Sequence, residues 1–139
     1  MSAADSIFQA EYVISFGDCD PAGIVFYPNI FAWMDRTFHA YLRQEAGGHA
    51  EICKALNLKG VGLVSAHCSF RSPLMEGNEL IVSMAAIEWS DRFFKVSYSG
   101  QVGERVVFAA TEERALFLFQ DDRLRAGNPT LLKQHLEAF

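Results

Sequence analysis

The chain is poor in positive charge. Its 139 residues carry 12 Lys and Arg against 17 Asp and Glu, a formal net charge of −5. A broad nucleic-acid surface is therefore excluded as an expectation, because phosphate backbones need a basic footprint. A local Arg and Lys cluster could still hold a small anion. No apolar run approaches the roughly 18 residues of a membrane span. The opening "MSAADSIFQAEY" lacks the basic start and apolar core of a signal peptide. Cysteines number three, Cys19, Cys53 and Cys68, with no short pairing motif. An odd, sparse set reads as reduced thiols in a cytoplasmic protein, not as a disulfide framework. Repeats, linkers and low-complexity stretches are absent as well. One domain over residues 1–139 is the expectation.

What the chain does have is apolar bulk: half its residues are hydrophobic and twelve are Phe. That suffices for a core and for an oligomer interface. Residues 8–16, "FQAEYVISF", alternate apolar and polar positions, as a strand with one polar face does. Residues 28–45 read as a helix, with Pro28 in the first turn and Asn29 as a cap. Ile30, Met34, Phe38, Tyr41 and Leu42 recur at helical spacing, and Phe31 and Trp33 widen the stripe. Gly47 and Gly48 end it. A short helical turn is expected over 49–57. Segments 61–70, 79–89, 92–99 and 104–119 then read as strands joined by hairpin turns, the last long enough for a bulge or bend. A short amphipathic helix closes the chain at 129–138. Hairpin-linked strands are antiparallel. A helix this apolar must bury itself on their sheet. One helix covers one face, so a second subunit is expected to share the other.

The stretch "GDCDPAGIVFYPN", residues 17–29, sets two carboxylates at the start of the most apolar segment. Four readings compete for it. A calcium loop needs ligands at positions 1, 3, 5 and 12; Asp18 and Asp20 fit the first two, but Ala22 and Asn29 fall on the others. A Cys19 nucleophile lacks a local base, and a packed thiol is the simpler account. Turn and cap chemistry suits Asp18. The fourth reading puts Asp20 to work. A helix start offers N–H groups without intrahelical partners. Such a terminus can bind an acyl oxygen that is becoming negative, while a carboxylate beside it attacks the acyl carbon or activates water.

Other polar residues admit plain readings. Asp35 could pair with Arg36 or His39. His39, His49, His67 and His135 have no metal-ligand spacing and read as structural first, so no metal is expected. Ser65 lacks a nucleophile-elbow context. Arg92 and Lys95 could form a solvated hairpin face.

Taken together, "FGDCDPAGIVFYPN", the helix "FAWMDRTFHAYLR", "SFRSPLMEGNELIV" and "IEWSDRFFKVSY" resemble the 4-hydroxybenzoyl-CoA thioesterase branch of the hot-dog-fold thioesterases, from about residue 8 to about residue 120. The resemblance implies an α+β fold, a long central helix wrapped by a five-stranded antiparallel sheet. It implies hydrolysis of an acyl-CoA, with an aromatic acyl group favoured. Asp20 falls at the catalytic carboxylate, and Tyr27 at the backbone oxyanion donor. Asp35 falls where a polar ring substituent is met. Val64, Ser65 and His67 would line the pocket from a partner subunit in a homodimer or homotetramer. No cofactor is implied, since coenzyme A belongs to the substrate. One departure stands out: relatives hold the CoA phosphates with a basic run after Glu-Trp, whereas this chain has Ser90 and Asp91 there. Arg92, Lys95 and Arg71 are left for that task, and an acyl carrier protein is an alternative substrate carrier. A non-hydrolytic acyl-CoA sensor and a hot-dog dehydratase are the other functional classes.

Overall fold

The computed structural model describes residues 5–139. Its element order is β1 (Ser6–Val13), α1 (Pro28–Ala46), α2 (His49–Leu56), β2 (Gly60–Phe70), β3 (Glu79–Ala85), β4 (Glu88–Trp89), β5 (Phe94–Val102), β6 (Arg105–Gln120), β7 (Arg123–Gly127) and α3 (Thr130–Glu137). The strands form one seven-stranded sheet in the order β1-β3-β5-β6-β2, with β4 paired to β5 and β7 to β6. The sheet thus has two strands more than the five expected. The segment expected at 79–89 ends as β3 at Ala85 and resumes as the two-residue β4. β7 lies in a stretch whose Asp, Arg and Gly read as loop. Asp121 and Asp122 both take positive φ, 54° and 61°, and so close a two-residue hairpin onto β6.

Chain contacts group into two compact units. The first comprises Met1–Phe38, His67–Ala86 and Ser97–Thr111; the second comprises His39–Ala66, Ile87–Val96 and Glu112–Phe139. In the first, β1 pairs antiparallel with β3, from Phe8 opposite Met84 to Val13 opposite Glu79. The period of two turns Leu80, Val82 and Met84 into the core, all fully buried. The first half of α1 is fastened to β1 by one residue. The Tyr12 ring stacks on Trp33 at 6.0 Å, and its hydroxyl lies 3.0 Å from the Thr37 hydroxyl. Ile30, Trp33, Met34 and Phe38, all on the stripe read from spacing, are buried here together with Thr37, while Phe31 is half-buried.

Gly100 is in this unit for a steric reason. A Cβ there would collide with the edge of the Phe108 ring, which is fully buried. Gly100→Ala is expected to cost about 1–3 kcal/mol, the usual penalty for overpacking a core. Urea denaturation checks this, and an unchanged midpoint would contradict it.

In the second unit, α2 caps its own C-terminus with Asn57 in the left-handed region (φ 55°). His49, the first residue of α2, accepts the Val61 N–H through Nε2 at 3.1 Å and so pins the start of β2. β6 holds an ion pair within the core. Arg114 donates through Nε and Nη2 to the two carboxylate oxygens of Glu112 at 3.0 and 3.1 Å, and both side chains are 2 % exposed. The spacing of two on a strand places both on one face.

Candidate active site

Residues 14–29 build the candidate site, and most of their backbone bonds are local. Ile14 is buried and donates its N–H to the Asn78 carbonyl. A single 3-10 turn, Phe16–Asp18, follows. The Asp18 carboxylate accepts the Ser15 N–H at 2.9 Å and closes that turn. Asp18 is therefore turn chemistry, as read, but it caps this turn rather than α1. Asn29 was expected to cap α1 as well. Its side chain instead donates to the Asp18 carbonyl at 2.8 Å, because the helix has already begun at Pro28.

Cys19 and Val25 then pair in an antiparallel bridge, and residues 20–24 turn between them. The Asp20 N–H donates to Ile24 O and the Gly23 N–H donates to Asp20 O, both at 2.9 Å. Gly23 has φ +82°, the conformation only glycine adopts freely. The Asp20 carboxylate joins the turn: Oδ1 accepts the Ala22 N–H at 2.9 Å. This side chain-to-backbone bond fixes the carboxylate. Among the described residues Oδ2 accepts no hydrogen bond. Asp20 also lines an open cleft of about 380 Å³ with Phe16, Cys19, Pro21, Gly23 and Glu76.

Two bonds hold the far side of the turn. Val25 donates to Leu74 O at 2.8 Å, and Phe26 donates to Asp18 O at 2.9 Å. Then α1 starts. Pro28 has no N–H to offer, and the Tyr27 N–H meets no acceptor among the described residues. A free donor at the positive end of a 19-residue helix suits a developing oxyanion. Four and eight residues further on, the same helical stripe carries Phe31 and the exposed Asp35.

The remaining candidates fall as follows. His67 is exposed and lines a 270 Å³ cleft with Ser97, Ser99 and Thr111. Arg71 follows β2 and anchors by its N–H to Val107 O, leaving its side chain exposed. Asp20, Tyr27, Asp35, His67 and Arg71 all belong to the first unit; Val64, Ser65 and Arg92 belong to the second. Val64 and Ser65 are exposed on β2. Arg92 is exposed in the turn between β4 and β5, which Ser90 closes by donating N–H and hydroxyl to Phe93 O. Lys95 is 3.9 Å from Glu88 across that hairpin, a half-exposed pair of little energetic consequence.

None of the thiols with a resolved shift is poised as a nucleophile. Burial pushes Cys68 up to about 11. It also pushes Cys53 up, against a smaller opposing effect of the Val61 backbone hydrogen bond. Both stay protonated at neutral pH. Cys19 places its sulfur 3.7 Å from the Ser15 carbonyl, half-buried, as a packed thiol does.

One residue escaped the reading by composition. Arg105, at the start of β6, donates through Nη1 to the Ser72 hydroxyl and to Pro73 O. It braces the loop whose Leu74 carbonyl holds Val25. A single Arg at a strand start carries no signal of such a partner.

A family model described as "Thioesterase superfamily" matches residues 22–112. The chain belongs to the thioesterase superfamily. This thioesterase is 30% identical over 119 residues to a 4-hydroxybenzoyl-CoA thioesterase of Pseudomonas sp. (strain CBS-3), covering 81% of this chain and 84% of the relative. It is 27% identical to a 1,4-dihydroxy-2-naphthoyl-CoA hydrolase of Prochlorococcus marinus, covering 91% and 87%. Among known structures, it is similar to a gentisyl-coenzyme A thioesterase with a TM-score of 0.75 at 29% identity, covering 90% of this chain and 98% of that one. The Pseudomonas enzyme's structure gives 0.75 at 28% identity, covering 90% and 96%. The α+β hot-dog fold expected from the sequence is the fold of this thioesterase.

Proposed function

We propose that this thioesterase hydrolyses an acyl-CoA to the free acid and coenzyme A, that the acyl group is aromatic, and that Asp20 is the working carboxylate. One observation carries the assignment. The turn at 20–24 commits one oxygen of Asp20 to the Ala22 N–H and leaves the other without a partner among the described residues. The bridge between Cys19 and Val25 ties that turn to the segment leading into α1, where the Tyr27 N–H is also uncommitted. The relatives support acyl-CoA as the substrate class, and the three compared here are described by aromatic acyl groups. A 4-hydroxybenzoyl-CoA thioesterase with one aspartate changed to asparagine is known in complex with 4-hydroxybenzoyl-CoA.

The chemistry follows from the parts. The thioester carbonyl oxygen accepts the Tyr27 N–H, and the helix dipole favours the charge it gains. The free oxygen of Asp20 either attacks the acyl carbon, giving a mixed anhydride, or takes a proton from the attacking water. Coenzyme A leaves as its thiolate in both cases. Single turnover in ¹⁸O-labelled water tests for the anhydride. Label found in the Asp20 carboxylate requires it; label found only in the acid shows that water attacked the substrate's acyl carbon.

The site is completed by a second copy of the chain. β2 is an edge strand, and residues 63–67 are exposed without alternation, so both of its faces meet solvent. Leu63 is 51% and Val64 45% exposed. An uncovered edge with apolar side chains is a template for pairing. A partner's Val64, Ser65 and His67 would then line the acyl pocket, in a homodimer or a pair of such dimers. Sedimentation is expected to show a dimer or tetramer, and a monomer would contradict this. Arg92 or Arg71 is the cation proposed for the CoA phosphates. No helix among the described residues is long and apolar enough to cross a membrane. The cytoplasm is the proposed compartment, where Cys19, Cys53 and Cys68 remain free.

A further inference from the structure

The Asp20 cleft holds a second carboxylate, and the hydrolytic steps above give it no task. Glu76 lines that cleft with Phe16, Cys19, Asp20, Pro21 and Gly23. Its side chain has no hydrogen bond or ion pair among the described residues. No Lys, Arg or His among the described residues lines the cleft with it. Two carboxylates therefore share about 380 Å³ without a counter-charge.

The backbone holds Glu76 there. Met75 to Asn78 form a tight turn, in which the Asn78 N–H donates to Met75 O at 3.0 Å. Gly77 supplies the positive φ, 85°, that the third position of such a turn needs. The Asn78 side chain accepts the Met75 N–H at 2.8 Å and locks the turn. Three further bonds tie this loop to the segment that carries Asp20. Gly77 donates to Ile14 O, Ile14 donates to Asn78 O, and Val25 donates to Leu74 O. The loop of Glu76 is thus fastened to the chain both before and after Asp20.

A fixed charge acts on whatever enters the cleft. Across an open site of this size, a second unit of negative charge is disfavoured roughly two- to tenfold, and salt weakens the effect. The thioester carbon must lie at the free oxygen of Asp20. The substrate parts nearest Glu76 are then the acyl group and the uncharged end of the pantetheine arm. Of these, only the acyl group differs in charge from one substrate to another.

We propose that Glu76 is a specificity-determining residue, whose carboxylate turns away acyl groups that carry a negative charge and admits neutral ones. This rests on the hydrolase reading above and adds a charge rule to it.

The test uses two esters of one shape and different charge, 4-carboxybenzoyl-CoA and 4-carbamoylbenzoyl-CoA. Thiol release is measured for wild type, Glu76→Gln and Glu79→Gln at low and high salt. Glu79 is exposed on β3 outside the cleft, so it controls for the charge of the chain as a whole. Glu76→Gln is expected to raise kcat/KM for the carboxylated ester roughly three- to fivefold and to leave the amide ester within about twofold. Glu79→Gln is expected to leave the ratio of the two esters unchanged. Added salt is expected to help the carboxylated ester more in wild type than in Glu76→Gln. An unchanged ratio in Glu76→Gln, or an equal change in Glu79→Gln, would overturn the proposal. So would parallel losses on both esters, since Glu76 would then serve the turn or the chemistry. Exclusion of both esters by a wild type that cleaves 4-hydroxybenzoyl-CoA would overturn it as well, because size rather than charge would decide. A wild-type chain that releases thiol from none of the three esters defeats the hydrolase reading itself.

Discussion

Asp20→Asn is expected to lower kcat for acyl-CoA hydrolysis by a factor on the order of 10³–10⁴, the scale lost when a positioned base or carboxylate nucleophile is removed. The substitution is nearly isosteric. Its amide oxygen can still accept the Ala22 N–H, so the turn from Asp20 to Ile24 should survive. What disappears is the negative oxygen that has no other task. KM should change little, because the contacts proposed for the acyl group and the coenzyme A lie at other residues. Thiol release under saturating substrate checks this, with near-normal turnover as the contrary outcome. The variant should also bind its substrate without consuming it.

The second large effect concerns stability. Arg114→Met is expected to cost about 3–5 kcal/mol, because it removes the guanidinium that holds both oxygens of a buried carboxylate. The fork geometry, two parallel bonds at 3.0 and 3.1 Å, makes the pair hard to replace by halves. Replacing both partners by leucine is expected to cost less than Arg114→Met alone, since a buried charge is no longer stranded. Urea denaturation of the two variants measures the difference. A loss below about 1 kcal/mol for Arg114→Met would show that the pair is not buried as described.

Much of this architecture was legible because it rests on local pattern. α1 was placed within one residue of its observed end, because large apolar side chains at a period near 3.6 have few other uses. The bend after Asp20 was legible because Pro, Ala and Gly in that order restrict the backbone before any tertiary contact forms. β7 was hidden for the opposite reason. Its composition is that of a loop, and only the ladder offered by β6 makes it a strand. The Asp121-Asp122 turn that closes this hairpin went unread with it. Asn29 misled by one position: it sits inside the first turn, and its amide goes to Asp18 rather than to the helix. Phe70 and Arg105 could not have been read at all. Their partners lie about 30 to 40 residues away in the chain, and nothing periodic marks the pairing.

Glu112 and Arg114 were within reach. Charged residues two apart in an apolar strand share a face, and on a buried face they must satisfy each other. The candidate site follows the same division. Asp20, Tyr27 and the helix stripe come from one short stretch of chain, whereas the Phe70 ring that packs against Tyr27 and Phe31 comes from a strand far along it.

The central claim is that the chain breaks thioesters and does not merely hold them. Its most direct test is release of free thiol by the purified wild-type protein across a panel of aromatic and aliphatic acyl-CoAs. Catalytic, repeated release with the aromatic esters turned over fastest is the predicted result. Tight, stoichiometric binding of acyl-CoA with no free thiol from any member of the panel would contradict it.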